Sequence, residues 1–102
     1  MRKRKTRNAL ELIARDVGDD PAFWARVEEE TFNLQIARMI CDARSAAGLT
    51  QKELARLVGT TQPVIARLED ADYRGHSLRM LRRIARALGR RLELRFVSKK
   101  VG

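Results

Sequence analysis

Two short helical patterns on either side of a single glycine constrain this chain more than any other feature. Residues 51–68 read QKELARLVGTTQPVIARL, with apolar residues at helical spacing both before and after Gly59. Glycine readily adopts the positive φ that ends a helix, and about three residues remain for the turn. The small Ala55 allows the two helices to cross closely. The stretch therefore predicts helix-turn-helix geometry.

Helical patterns also precede this stretch. Apolar spacing predicts a short helix over residues 10–17. Asp20 followed by Pro21 predicts the start of a second helix, which continues to about residue 47. The spacing leaves open whether residues 21–47 form one helix or two.

Capping residues mark the later helices. Thr50 and Glu53 have the spacing of a capping box, and Thr61 can cap the helix after the turn. Ser77 is placed to cap a last helix, which we expect to end at Gly89.

The apolar period changes to two over residues 91–97. This alternation predicts one β-strand with Leu92, Leu94 and Phe96 on one side. A lone strand leaves its backbone groups unpaired, so we expect it to pair with a second copy and form a homodimer. Pairing with another protein's sheet edge is the alternative. The predicted fold is mainly α, with five or six helices and one C-terminal β-strand used for dimerisation.

Charge is unevenly distributed along the chain. The 102 residues include 22 Lys or Arg and 13 Asp or Glu, a net charge of +9. Residues 1–7 carry +5, whereas residues 8–47 carry −4. The sequence pI near 11.0 favours nucleic acid as a partner. The contrast between acidic and basic parts predicts two kinds of partner.

We expect three segments within a chain whose length allows one domain. Residues 1–31 are a basic tail and an acidic helical extension, residues 32–89 the helix-turn-helix domain, and residues 90–102 the C-terminal strand and tail. The basic tail is expected to be solvated, with insertion into a DNA groove as the alternative.

Residues 49–69 strongly resemble the helix-turn-helix of the phage-repressor and Cro class, known as the XRE family, and the resemblance extends over residues 32–88. It implies a repressor-like fold that binds double-stranded DNA, and the two-fold pairing expected of the strands predicts a palindromic operator. It also implies that residues 61–69 form the recognition helix, which enters the major groove by its N-terminal end.

The resemblance also implies roles for single residues. Gln62 and Arg67 have the chemistry to read bases, although Arg67 could instead bind phosphate or remain solvated. Gln51 resembles the family's phosphate-binding glutamine. Pro63 departs from the family's usual polar residue, so the base-by-base code does not carry over. The predicted DNA-binding residues are Gln51, Thr60, Thr61, Gln62, Pro63, Ala66, Arg67, Arg74, Ser77 and Arg79.

The acidic extension, the helix-turn-helix and the final ALGRRLELRF together resemble the antitoxins of HigA-type toxin–antitoxin pairs. That resemblance implies a basic ribonuclease toxin as partner and a complex that represses its own operon. The predicted toxin contacts are Phe23, Trp24, Glu28 and Glu29. The alternative is a stand-alone XRE-family transcriptional regulator without a toxin.

No catalytic or metal-binding residues are predicted. Cys41 is the single cysteine, which excludes an internal disulfide and a cysteine-rich zinc site. A small ribonuclease needs a positioned acid and base, and His76 has no such companion in the sequence. We therefore expect no enzyme activity and no cofactor. The lack of an apolar run of about 18 residues and of a signal peptide predicts a soluble, cytoplasmic protein.

Overall fold

The structure, a computed structural model, describes Gly18 and residues 20–98. The helix predicted over residues 10–17 lies outside the described residues. The chain divides into two compact units between Phe32 and Asn33. The helices of the described part are α1 (Pro21–Ala46), α2 (Gln51–Val58), α3 (Gln62–Leu68) and α4 (Leu78–Ala87).

The mainly α prediction fits these helices, but its helix count and its strand are wrong. The described residues form four helices, not five or six, and residues 91–98 contain no strand. Leu92 is half-buried against the core, whereas Leu94 and Phe96 are exposed. An alternating pattern becomes a strand only when a neighbouring strand pairs with its backbone, and none is present among the described residues.

Helix α1 is continuous, which answers the question that its sequence leaves open. The Oδ1 atom of Asp20 accepts a hydrogen bond from the backbone N–H of Ala22 at 3.0 Å. Pro21 occupies the first helical position, where a missing N–H costs no hydrogen bond. The helix start is therefore where the sequence predicts it.

The core of the second unit joins α2, α3 and α4 to the C-terminal part of α1. Buried side chains of α2 and α3 pack against each other in this core, so packing fixes the angle between the two helices. The buried residues are Ile40, Leu54, Ala55, Val58, Ile65, Leu68, Leu81 and Ile84.

Side-chain caps hold the starts of α2 and α4 as well. The Thr50 Oγ1 atom accepts from the Glu53 backbone N–H at 3.0 Å, and the Glu53 carboxylate accepts from the Thr50 N–H at 2.8 Å. The predicted capping box is confirmed. The Ser77 hydroxyl likewise accepts from the Met80 N–H at 3.1 Å. Thr61 occupies the N-cap position of α3, but its side chain makes no capping hydrogen bond.

The turn between α2 and α3 depends on Gly59. Its φ is 86°, a left-handed conformation that residues with a Cβ rarely adopt, and its N–H donates to the Ala55 carbonyl at 2.9 Å. Arg83 from α4 supports the same helix end, because its Nη2 atom donates to the Val58 carbonyl at 2.9 Å. Helix α2 thus ends where the sequence predicts.

Within the part of the chain that the structure describes, no helix has the length and apolar character needed to cross a bilayer.

Candidate nucleic-acid interface

Two glutamines join the N-terminal ends of α2 and α3. The Gln62 Nε2 atom donates to Gln51 Oε1 at 2.8 Å. The Gln51 Nε2 atom in turn donates to Glu69 Oε1 at 3.1 Å. The Gln51 amide is therefore held from both ends, and two of the predicted DNA-binding side chains lie side by side.

The chain of hydrogen bonds continues from Glu69 to Arg44 on α1. Arg44 Nε lies 2.7 Å from Glu69 Oε2, and Arg44 Nη2 lies 3.0 Å from Glu69 Oε1, so the pair is bidentate. Only 5% of the Glu69 side chain and 16% of the Arg44 side chain are exposed. Arg44 Nη1 also donates to the Leu49 carbonyl at 2.8 Å. The pair fastens the end of α1 to the end of α3.

The surroundings of Glu69 keep its carboxylate ionised. Burial by itself raises the pKa of Glu69, but the hydrogen bonds from Arg44 and Gln51 outweigh it, and the pKa lies below its ordinary value. A charged Glu69 accepts more strongly from Gln51 than a neutral carboxyl group would.

An open groove lies beside the two glutamines. Lys52 and Arg56 are exposed on α2, four residues apart, and both contribute to this groove. Its lining contains no acidic residue and no large apolar side chain; the residues are Lys52, Ala55, Arg56, Thr60 and Gln62. We call it the interface groove. Its shape and charge suit a polyanion.

The other predicted residues near the turn lie at the start of α3 or along it. Thr61, Gln62 and Pro63 are exposed there, Ala66 is half-buried, and Arg67 is exposed in the last turn. Of the ten predicted DNA-binding residues, Thr60 and Gln62 line the interface groove, and Gln51 is hydrogen-bonded to Gln62.

The last three predicted DNA-binding residues belong to the loop before α4 and to the start of α4, and like Thr61, Pro63, Ala66 and Arg67 they are not part of the groove lining. Arg74 lies in the loop before α4, and Ser77 and Arg79 are exposed at the start of α4.

Comparison with known proteins decides the family. Residues 23–96 match the model of a family described as a helix-turn-helix domain. The chain belongs to this helix-turn-helix family. A protein of Methanothermobacter thermautotrophicus named "Uncharacterized HTH-type transcriptional regulator" is 50% identical to the chain over 52 residues, which cover 51% of this chain and 74% of that protein. No solved structure matches significantly.

The sequence did not single out four residues that form or support this helix-turn-helix surface. Lys52 and Arg56 could have been found, because burial of residues 54, 55 and 58 leaves positions 52 and 56 on the outer face of α2. Arg44 and Glu69 are 25 residues apart, and no local pattern connects them.

His76 supports the helix-turn-helix from the loop that follows it. Its Nε2 atom lies 2.7 Å from the Leu68 carbonyl, to which it donates, and its ring meets that of Tyr73 edge to face at 5.0 Å. The other ring nitrogen, Nδ1, is buried and has no hydrogen-bond partner among the residues that the structure describes. The described residues contain no group of three or more side chains placed to hold a metal ion.

The predicted toxin contacts lie on the N-terminal part of α1. Phe23 and Trp24 form an edge-to-face pair with ring centroids 5.0 Å apart, and Trp24 Nε1 donates to the Gly18 carbonyl at 3.0 Å. Both rings are half-buried, and Glu28 and Glu29 are exposed.

The dimer contacts predicted for Leu92, Leu94 and Phe96 depended on a strand, and residues 91–98 contain none. Leu92 packs against the core of its own chain. The homodimer stays a prediction.

Proposed function

We propose that this chain is a non-enzymatic, sequence-specific DNA-binding transcription regulator of the XRE kind, which inserts α3 into the major groove. The hydrogen bond between Gln51 and Gln62 carries the proposal, because it places two amide side chains on one surface at the starts of two helices. The first helix start suits a phosphate, and the second suits base edges. The name of the Methanothermobacter relative supports the same role.

The charges around the glutamines support this orientation. Lys52 and Arg56 stand beside the start of α3, and Arg67 is exposed farther along it. In this arrangement Lys52 and Arg56 neutralise phosphates, while the exposed side of α3 faces the bases. The proposed base-facing residues are Thr61, Gln62, Pro63, Ala66 and Arg67; the proposed phosphate-facing residues are Gln51, Lys52, Arg56, Thr60, Arg74, Ser77 and Arg79.

The chain is proposed to act as a homodimer on a palindromic operator. A single α3 helix contacts few base pairs, and two copies related by a two-fold axis double the site that is read. The two recognition helices would lie about 34 Å apart, one turn of DNA.

Selection from a random pool of DNA duplexes tests the proposal. The full chain is expected to enrich a palindrome whose half-sites are about 10 base pairs apart. Fluorescence anisotropy at one fixed salt concentration then compares the enriched duplex with a scrambled duplex of the same composition. Equal affinities for the two duplexes would contradict the proposed sequence-specific binding.

A toxin partner is a second candidate, favoured by the exposed Glu28 and Glu29 that follow the Phe23–Trp24 pair. An acidic surface with aromatic anchors attracts a basic protein such as a ribonuclease. Such a complex would make the chain a HigA-type antitoxin that represses its own operon.

Coexpression with the protein encoded next to this chain tests the antitoxin role. Growth arrest by that neighbour should be relieved by the wild-type chain, but not by a full-length variant with Trp24→Ala, Glu28→Lys and Glu29→Lys. The control is Asp72→Lys, at an exposed position outside α1. If both variants relieve growth arrest, this contact is ruled out. If the neighbouring protein is not toxic, the chain is a stand-alone regulator.

A further inference from the structure

A second groove lies on α4 and the segment that follows it. It has a volume of about 400 Å³. Helix α4 contributes one wall, and residues 90–94 contribute the other. The lining residues are Leu78, Arg82, Ala85, Arg86, Arg90, Arg91, Leu92 and Leu94. We call it the arginine–leucine groove.

Four arginines give this groove a strong positive charge. No acidic residue lines it. Within the described part of the chain, none of the four arginine side chains forms an ion pair or a side-chain hydrogen bond. Arg83, by contrast, is already engaged at the end of α2. The groove therefore presents positive charge that the described residues leave without a partner.

The groove also exposes apolar side chains. Leu78 is 57% exposed and Leu94 is 62% exposed, and the exposed Phe96 and Val97 follow them along the chain. The interface groove has no comparable apolar residue. A phosphodiester backbone is charged and cannot cover exposed leucines with apolar surface. The arginine–leucine groove therefore suits a ligand that is both anionic and apolar.

The same groove of a second copy does not fit that description. A two-fold contact centred on this groove would place four arginines against four arginines. Like charges facing each other across an interface are unfavourable. The occupant must bring negative charge.

We propose that the arginine–leucine groove binds an acidic amphipathic segment of another protein, whose carboxylates pair with Arg82, Arg86, Arg90 and Arg91 while its apolar side chains cover Leu78 and Leu94. Arginine is well suited to this contact, because its guanidinium group pairs with carboxylates in two-point geometry. The groove would then recruit a partner through α4, independently of the interface groove.

A synthetic probe peptide tests the proposal with the full chain. The peptide carries leucines at helical spacing and glutamates at the remaining positions, with a fluorescent label, and binding is measured by anisotropy. Arg86→Glu is expected to weaken binding about tenfold or more, because it places a carboxylate against the ligand's carboxylates. Leu94→Ser is expected to weaken it about fivefold through lost apolar contact. Arg38→Glu, an equal charge change at an exposed position of α1, is expected to leave the dissociation constant within about twofold.

Three results would overturn the proposal. A peptide with serines in place of the leucines could bind as tightly, which would reduce the groove to a general polyanion site. An equal loss of affinity for random duplex DNA and for the peptide in Leu94→Ser would assign the groove to nucleic acid. Arg86→Glu or Leu94→Ser could change the oligomeric state in light scattering, which would make a second copy the occupant. Both substituted residues are exposed, so both variants are expected to keep the wild-type Tm.

Discussion

The carboxylate of Glu69 connects three helices through its two oxygens. It pairs with Arg44 of α1 and accepts from Gln51 of α2, while its own backbone follows α3. The Arg44–Glu69 pair is partly buried, and a hydrogen bond to a charged group commonly contributes about 1.5–3 kcal/mol. Glu69 therefore links the stability of the fold to the position of Gln51.

The stability of the chain should depend on the protonation of Glu69. Its pKa is lower in the folded chain than its ordinary value of 4.5, so the unfolded chain takes up the proton first as pH falls. The stabilising contribution is complete above pH 4.5 and is lost as pH falls through the lower folded pKa. Glu69→Gln should be less stable at pH 7 by about 1.5–3 kcal/mol in urea denaturation, because its hydrogen bonds to Arg44 lose the carboxylate charge.

The pH profile separates this pair from other carboxylates. The free energy of unfolding of Glu69→Gln should fall less between pH 5 and pH 3 than that of the wild type. Glu29→Gln, the same change at an exposed position of α1, should retain the wild-type fall. Parallel profiles for Glu69→Gln and the wild type would contradict the role of the ion pair.

Arg67 and Gln51 should affect DNA binding in different ways. Arg67→Ala should cost about 1–3 kcal/mol on the selected operator and much less on scrambled DNA, because a bidentate base contact discriminates between sequences. Gln51→Ala should weaken both duplexes alike, because a phosphate carries no sequence information. Anisotropy titrations with the two duplexes measure both effects. Equal losses for Arg67→Ala would assign that arginine to phosphate.

At the residue scale, short-range patterns could be predicted and long-range pairs could not. The roles implied for Gln51 and Gln62 came from a resemblance over a contiguous stretch, and the structure brings the two side chains within 2.8 Å. The Arg44–Glu69 pair depends on how α1 packs across α3, which the sequence does not encode locally. The exposed positions of Lys52 and Arg56 were not predicted, although helical periodicity indicates them once the buried face of α2 is assigned.

Helix starts in this chain differ in how strongly their caps hold them. Thr50 accepts from the Glu53 N–H, whereas Thr61 makes no capping bond at α3. Pro63 supplies another restraint at the start of α3, since its fixed φ is preorganised for a helix. The two threonines therefore form a matched pair for measuring what a cap contributes.

Thr50→Ala should destabilise the chain by about 1 kcal/mol, the usual cost of losing an N-cap side chain. Thr61→Ala should change stability by only a few tenths of a kcal/mol, because no capping bond is lost. Urea denaturation of both variants at pH 7 checks the difference. Equal losses would mean that the Thr50 hydroxyl contributes nothing as a cap.

At the element scale, periodicity and caps predicted the helices but not the end of the chain. Helix starts at Pro21, Gln51 and Leu78 carry their own hydrogen bonds, which the sequence reveals. Residues 91–97 have a strand-like alternation, yet a strand exists only through a partner. Leu92 packs on the core instead.

At the scale of the whole molecule, positive charge lines two chemically different grooves within the described residues. The interface groove combines Lys52 and Arg56 with small and polar residues, whereas the arginine–leucine groove combines arginines with exposed leucines. A net charge of +9 draws any polyanion towards the chain, so affinity for DNA alone does not identify the binding face. The binding face is identified by comparing how DNA binding depends on salt in variants that each remove one positive charge.

Operator binding should weaken steeply with salt, because each neutralised phosphate releases counterions and contributes a slope of about −0.9 in log K against log salt. Lys52→Gln should make the slope shallower by about 0.9 for each bound copy, since it removes one phosphate contact. Arg38→Gln removes the same charge from an exposed position of α1 and should leave the slope unchanged. Anisotropy titrations of the selected duplex between 50 and 200 mM salt, about the range in which such contacts are resolved, measure all three slopes. Identical slopes for the wild type and Lys52→Gln would show that Lys52 does not contact phosphate. If Arg38→Gln made the slope shallower by as much as Lys52→Gln does, net charge rather than the interface groove would govern binding.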